Sequence, residues 1–307
     1  MVDFTIGITD ASPIDNPRLR ASIFTPFVSS DMSKRVDPKK VFTDAKSIIV
    51  VCVPYYAASF YENLSSLGVC EDYHNRVKDV LRAIAKELAE VHGPFKHRIL
   101  VDSPTLCERS LAVRAGLGFF GKNGLVISPE FGSRFNIGAM LLDISFAGSC
   151  SALGMWRETD SIANALRARR SWVSFPSFGF ASPASMEEDT NACPHDCDLC
   201  IKACPNGAIS EGEPLDASLC ISYLTQKENL TNKEEKLLHG QLYGCDICQN
   251  VCPKNVKQET EYVNPRDISR LSDEEIVEKC GHTAMHWKIG LLKRNASKHC
   301  DGINTIS

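Results

Sequence analysis

Apolar residues run unbroken through Ile48-Ile-Val-Val-Cys-Val53, bracketed by Ser47 and Pro54. A short β-branched run with no polar residue alternating through it predicts a strand covered on both faces. The period then changes. From Tyr73 to His92, Val77, Val80, Leu81, Ile84, Leu88 and Val91 recur at helical spacing between charged positions, which predicts an amphipathic helix. Arg98-Ile-Leu-Val101 predicts a short strand and Ser110 to Gly116 a helix closed by glycine. Leu125-Val-Ile127 and Ile137 to Ile144 predict two further strands. Residues 1–45 are mixed, with turn signals at Asp15-Asn16-Pro17 and Asp37-Pro38. Alternating strands and helices make residues 1–146 an α/β domain within an α+β chain.

Beyond residue 146 the pattern breaks. Residues 147–190 hold an expected helix between Trp156 and Val173, with Arg167, Arg169 and Arg170 near its end. A Ser/Pro/Phe/Gly stretch follows, and the segment is expected to be an inserted linker or lid. Residues 191–260 carry most of the cysteines and residues 261–307 form a helical tail. That tail opens on the acidic helix start Ser272-Asp-Glu-Glu275 and continues through a basic, partly apolar segment from Met285 to Lys298.

The 307 residues carry 34 basic and 38 acidic side chains, a net charge of −4. No whole-chain basic field of the kind used for nonspecific nucleic-acid binding exists, so any RNA contact must be local. The opening Met1-Val-Asp-Phe-Thr-Ile-Gly lacks a basic region followed by a long apolar one, so no signal peptide is expected. The longest apolar run, Ser47 to Ala58, is too short to span a bilayer, and no membrane partner is expected. Fourteen cysteines are many for this length, and eight of them lie between Cys193 and Cys252. Clustered cysteines without an export signal point to metal rather than disulfides, and to the reducing cytoplasm.

Those eight form a repeated motif. The first copy is Cys193-x3-Cys197-x2-Cys200-x3-Cys204-Pro205; the second is Cys245-x2-Cys248-x3-Cys252-Pro253, with Cys220 upstream. In bacterial two-cluster ferredoxins, three closely spaced cysteines wrap one cubane and the fourth, before proline, ligates the other cluster. By that rule Cys193, Cys197, Cys200 and Cys252 hold one [4Fe–4S] cluster, and Cys204, Cys220, Cys245 and Cys248 hold a second. Zinc sites also use C-x2-C pairs, but they do not write three close cysteines and a fourth before proline twice over. The x3 gap after Cys193 is one residue longer than the bacterial ferredoxin run. Asn206-Gly207-Ala208-Ile209 is expected to turn into a short strand.

The chain resembles the epoxyqueuosine reductases, cobalamin-dependent iron–sulfur enzymes of tRNA modification. The resemblance is carried by Ala45-Lys-Ser-Ile-Ile-Val50, Asp72-Tyr-His74, Val101-Asp-Ser-Pro-Thr-Leu-Cys-Glu-Arg-Ser-Leu-Ala-Val-Arg-Ala-Gly-Leu-Gly118, Phe119-Phe-Gly-Lys-Asn123 and Gly132-Ser133. Downstream it continues in Cys220-Ile-Ser-Tyr-Leu-Thr225 and Tyr243-Gly-Cys-Asp-Ile-Cys248. It implies an N-terminal corrinoid-binding catalytic domain followed by a ferredoxin-like two-cluster domain. Electrons would pass to cobalamin, and the epoxide oxygen of epoxyqueuosine in the tRNA anticodon loop would be removed. The resemblance places the family's acid at Asp102, where a carboxylic acid with a raised pKa donates a proton to the departing oxygen. From the residues alone, Asp102 reads equally as a turn residue before Ser103-Pro104.

Tyr73, His74, Arg109, Lys122, Asn123 and Ser133 are the candidate cofactor contacts. Asp72-Tyr-His74 resembles part of a D-x-H-x-x-G corrinoid pattern, but Val77 stands where the glycine belongs, so His74 is not assigned as a cobalt ligand. Arg109 and Arg114 suit phosphate or a corrinoid side chain, and equally a surface ion pair. Basic candidates for RNA are Lys96-His-Arg98, Arg167-Ala-Arg-Arg170 and Lys288 with Lys293-Arg294, and Trp287 is placed to stack on a base or to pack a helix. The resemblance also implies a short form, lacking the HEAT-like C-terminal domain of typical members, and an external low-potential donor such as a ferredoxin or flavodoxin. Two other functions fit the motifs: reduction of a small molecule, as in reductive dehalogenases, and reactivation of a partner's oxidised cofactor.

Overall fold

The computed structural model describes residues 4–15, 27–55, 57, 60–146, 192–257 and 259–303. The helix expected between Trp156 and Val173, its arginines, and the linker or lid expected of residues 147–190 lie outside the described residues.

The first half is built on four strands: β1 (Thr5–Asp10), β2 (Ser47–Pro54), β3 (His97–Val101) and β6 (Phe135–Leu142), in the order β1-β2-β6-β3. Between β3 and β6 in sequence, β4 (Phe119–Phe120) and β5 (Val126–Ile127) form a separate two-stranded ribbon. Every residue of β2 is buried. Ile48, Val50 and Cys52 face one layer, together with Leu111 and Ala112 of the helix Glu108–Arg114. Ile49, Val51 and Val53 face the other, with Val77, Leu81, Ile84 and Leu88 of the helix Tyr73–His92. A strand packed by a helix on each side has no solvent face, which is why its sequence shows no alternation.

The α/β mixture takes a form the sequence did not indicate, because all three pairings in the sheet are antiparallel. β2 and β3 both pair with β6 and therefore run parallel to each other, with β6 between them. The helix Tyr73–His92 crosses over it. Asp72 caps that helix by accepting from the His74 amide, and Val91, expected on the apolar stripe, stays 48% exposed at its far end. β1 was not anticipated. Its Gly7 weakens the strand signal, yet a Cβ there would stand 2.4 Å from the Ala115 carbonyl oxygen, so the glycine lets the C-terminal end of the helix Glu108–Arg114 approach the sheet.

In the second half the described elements are short helices. Ala208 and Ile209 are buried, but no strand forms, and the Ala208 carbonyl accepts instead from the Asp216 amide. The helix Asp273–Cys280 starts at Ser272 with the reciprocal Ser272/Glu275 cap expected from the sequence. The helix Ile289–Ile303 is no loose tail. Its Asn295, 1% exposed, donates to the carbonyls of Thr225 and Leu242, and Leu292 and Ala296 join a core cluster with Leu64, Leu242, Tyr243, Ile276 and Met285. That cluster welds the C-terminal helices to both halves. Among the described residues no helix is long and apolar enough to cross a membrane.

The halves are tied by a polar joint as well. The Ser133 amide donates to Asn255 Oδ1 at 2.7 Å and its hydroxyl to Gln249 Oε1 at 2.9 Å. Arg134 reaches the Val256 carbonyl and Asn250 Oδ1. Gly132, at φ 60, lets this loop close on the cysteine-bearing half: a Cβ there would stand 2.1 Å from Asn255 Oδ1 and 2.7 Å from the Lys254 carbonyl. Gly132→Ala is therefore expected to lower stability by roughly 2–3 kcal/mol, through left-handed strain plus a broken joint, read by urea denaturation. A loss under about 0.5 kcal/mol would show the joint to be slack.

Candidate active site

β3 ends at Val101, and the next residue, Asp102, turns the chain at φ 50. Among the described residues only Asp102 and His239 combine a side chain with positive φ. The conformation lifts the Asp102 carboxylate out of the sheet, leaving it 68% exposed. The Tyr73 hydroxyl donates to Asp102 Oδ2 at 2.8 Å, and His74 Nε2 lies 3.8 Å from the same oxygen. The Tyr73 and His74 rings stack with centroids 4.2 Å apart, and His74 Nδ1 meets Asp72 Oδ1 at 2.7 Å. The helix N-terminus thus presents three consecutive polar residues to the acid. Burial, then the Asp102 charge, pushes the Tyr73 phenol well above its ordinary value, so it remains a donor across neutral pH.

Two further residues close the site. Tyr243, two positions before Cys245, is pushed up to about 12, first by burial and then by Asp102. Its backbone pairs with Leu64, which brings the cysteine-bearing half against the acid. Glu108 accepts from the Ser103 amide at 3.2 Å, and the Asp102 amide also faces its carboxyl. Burial is the largest cause that raises its carboxyl to about 8.

The cysteines act on one another mainly within two groups, with Cys200 also acting on Cys248 across them. Burial raises the Cys200 thiol, and negative charge on Cys193, Cys252 and Cys197 raises it further; Cys252 feels Cys193 and Cys197 in turn. Burial likewise raises Cys245 to about 12, with Cys220 and Cys204 adding to it, and Cys248 is raised by burial, then by Cys245 and Cys220. Cys204 also raises Cys220. Thiols crowded and desolvated in this way gain from a cationic cluster that removes their protons. Among the described residues no three His, Cys, Asp or Glu side chains are arranged to hold a single metal ion.

The remaining candidates are engaged in structural contacts. Lys122 Nζ donates to the His195 carbonyl and to Glu211 Oε1, both at 2.9 Å, so it bridges the halves beside the first cysteines. Asn123 is buried and its Oδ1 accepts from the Leu125 amide, shaping the β4–β5 turn. Arg109 donates to the Gly124 carbonyl, Arg114 to the carbonyls of Asp10 and Ser12, and Ser133 belongs to the joint.

The family model described as "4Fe-4S double cluster binding domain" matches residues 192–255, and the one described as "Epoxyqueuosine reductase QueG, DUF1730" matches residues 35–103. The epoxyqueuosine reductase of Cyclobacterium marinum is 29% identical over 284 residues, spanning 87% of this chain and 78% of that relative. The chain is similar to the epoxyqueuosine reductases along most of its length. The epoxyqueuosine reductase of Streptococcus thermophilus superimposes with a TM-score of 0.73 at 25% identity, over 97% of this chain and 77% of that one. An epoxyqueuosine reductase solved with an epoxyqueuosine-modified tRNA-Tyr stem loop gives 0.72 at 26%, over 97% and 76%. An epoxyqueuosine reductase relative with a double-cluster segment is an oxidoreductase, and its mixed helix-and-sheet architecture is shared with the solved members.

Glu108 and Tyr243 are site residues that the sequence pattern does not single out. Both lie inside quoted motifs, but neither carries a local signal of its own, since Glu108 looks like a first-turn helix acid and Tyr243 like a neighbour of a cysteine. Most of the basic RNA candidates are occupied. Lys96 pairs with Asp44, Arg98 donates to the Val41 carbonyl, Lys293 pairs with Asp273, and Arg294 holds the Lys227 and Glu228 carbonyls. Arg167, Arg169, Arg170 and the Trp287 side chain lie outside what the structure describes.

Proposed function

We propose that this chain reduces the epoxide of epoxyqueuosine in a tRNA anticodon loop to queuosine. Electrons would enter from an external low-potential carrier through two [4Fe–4S] clusters and reach a bound cobalamin. The single observation that carries the reading is convergence: the charge of the exposed acid Asp102 acts on the Tyr243 phenol, two residues from a cysteine of the second cluster set. Removing an epoxide oxygen as water consumes electrons and protons together, so a proton donor and an electron-carrying segment must meet at one place.

When bound, the clusters and the corrinoid supply one-electron transfer and a strongly reducing metal centre. Cys193, Cys197, Cys200 and Cys252 would hold one cluster, and Cys204, Cys220, Cys245 and Cys248 the other. The stacked Tyr73–His74 pair offers a flat aromatic wall next to the acid, which fits a planar macrocycle. Lys122, Asn123, Arg109 and Ser133 support the site by fixing the loops and the joint around it. In this reading residues 1–146 and 191–260 are the catalytic and two-cluster units.

Asp102 Oδ delivers a proton to the departing oxygen. Once the proton has gone, the Tyr73 hydroxyl, already donating to Asp102 Oδ2, stabilises the carboxylate that remains. The stem-loop bound by a relative supports a tRNA substrate.

Expression in a bacterial strain without its own epoxyqueuosine reductase tests this directly. Nucleosides from its tRNA are expected to show queuosine in place of epoxyqueuosine. Persistent epoxyqueuosine from a soluble, iron-loaded chain would sink the assignment.

A further inference from the structure

We propose that Glu108 is a positioning residue, whose carboxyl group clamps the amides of Asp102 and Ser103 and holds the acid in its working orientation. The inference deepens the function proposed above and rests on it.

Asp102 occupies a left-handed conformation that residues with a Cβ rarely adopt. Tyr73 and His74 touch its carboxylate and orient that group, but they do not hold the backbone. Glu108 does. Its Oε1 accepts from the Ser103 amide at 3.2 Å, and the Asp102 amide also faces the same carboxyl. Successive amides directed at one carboxyl group form a small nest that fixes the turn. On the far side, Ser103 Oγ lies 2.8 Å from Thr105 Oγ1 and accepts from the Thr105 amide. The clamp is anchored, because Glu108 opens a helix whose Leu111 and Ala112 are fully buried against the sheet. Strain at Asp102 is thereby opposed by the sheet core through one side chain.

The groups that face Glu108 are Asp102 across the turn, Arg109 on its own helix and Tyr73 from the long helix. Burial keeps its carboxyl mostly protonated at neutral pH. Glutamine, neutral and carrying the same carbonyl acceptor, is therefore the conservative replacement.

The test uses the full chain, with reconstituted clusters and cobalamin, acting on epoxyqueuosine-containing tRNA. Glu108→Ala is expected to lower kcat about tenfold or more with KM within about twofold. It should also speed hydrogen exchange in the peptide covering residues 101–106, while cluster absorbance stays unchanged. Glu108→Gln should restore both kcat and slow exchange. If Glu108→Ala does not fold, Glu108→Asp, one methylene too short to reach both amides, carries the same expectations. Unchanged exchange in the alanine or aspartate variant, or a glutamine variant as impaired as alanine, overturns the clamp. A wild-type chain that leaves epoxyqueuosine unreduced overturns the catalytic reading instead, and the exchange measurement still decides the clamp.

Discussion

Asp102→Asn is expected to lower turnover by roughly a hundred- to ten-thousand-fold, the range over which general acids contribute, while iron content and cluster spectra stay at wild-type values. Asparagine is the informative replacement because the site makes two demands. Position 102 needs φ 50, and asparagine is among the few residues with a Cβ that tolerate the left-handed region. The position also needs an acceptor for the Tyr73 hydroxyl, which the amide oxygen supplies. What asparagine lacks is a transferable proton. Asp102→Ala would lose the proton and the acceptor together and pay about 1–2 kcal/mol for the backbone, so its defect would mix causes. The measurement is single-turnover reduction of epoxyqueuosine-containing tRNA with reduced clusters. Turnover within about threefold of wild type would remove Asp102 from the chemistry.

The same residue shows how far the sequence is legible. The resemblance picked out Asp102 as an acid, but not the geometry that exposes it. That geometry depends on β3 ending at Val101 and on Glu108 six residues later, a spacing that matches no common local motif. The periodic elements were the clearest. The helix Tyr73–His92 was expected over the same residues because burial against a sheet imposes a 3.6-residue period. β2 showed its double coverage as an unbroken apolar run. The antiparallel sheet order was not visible, because apolar pattern records which faces are buried and not which strand lies beside which. Lys122, Asn123 and Ser133 stay ambiguous for a related reason. A glycine-rich loop with polar residues looks the same whether its partner is a ligand or another part of the chain, and here the partners are Glu211, Leu125 and Gln249.

The second large effect concerns the interleaving of the cysteines. Simple succession would give each motif its own cluster, with Cys252 beside Cys245 and Cys248. The arrangement proposed here instead joins Cys252 to Cys193, Cys197 and Cys200, the crossing that two-cluster ferredoxins use, and negative charge on Cys193 and Cys197 acts on the Cys252 thiol. Double replacements separate the two arrangements. Wild-type chain reconstituted without oxygen should hold about eight iron atoms, and Cys197→Ala about four, with one reduced-cluster signal remaining by electron paramagnetic resonance. Adding Cys252→Ala to Cys197→Ala should cost no further iron, because both residues serve the same cluster. Adding Cys248→Ala instead should take iron close to zero. Turnover should vanish in every case, since the proposed electron path to the cobalamin runs through both clusters. If the Cys197/Cys252 pair loses all its iron while the Cys197/Cys204 pair keeps half, the motifs bind in succession and the crossing is wrong. The x3 gap after Cys193 is where the two outcomes are decided: its extra residue must widen the loop enough for Cys193, Cys197 and Cys200 to leave one corner of the cubane to Cys252.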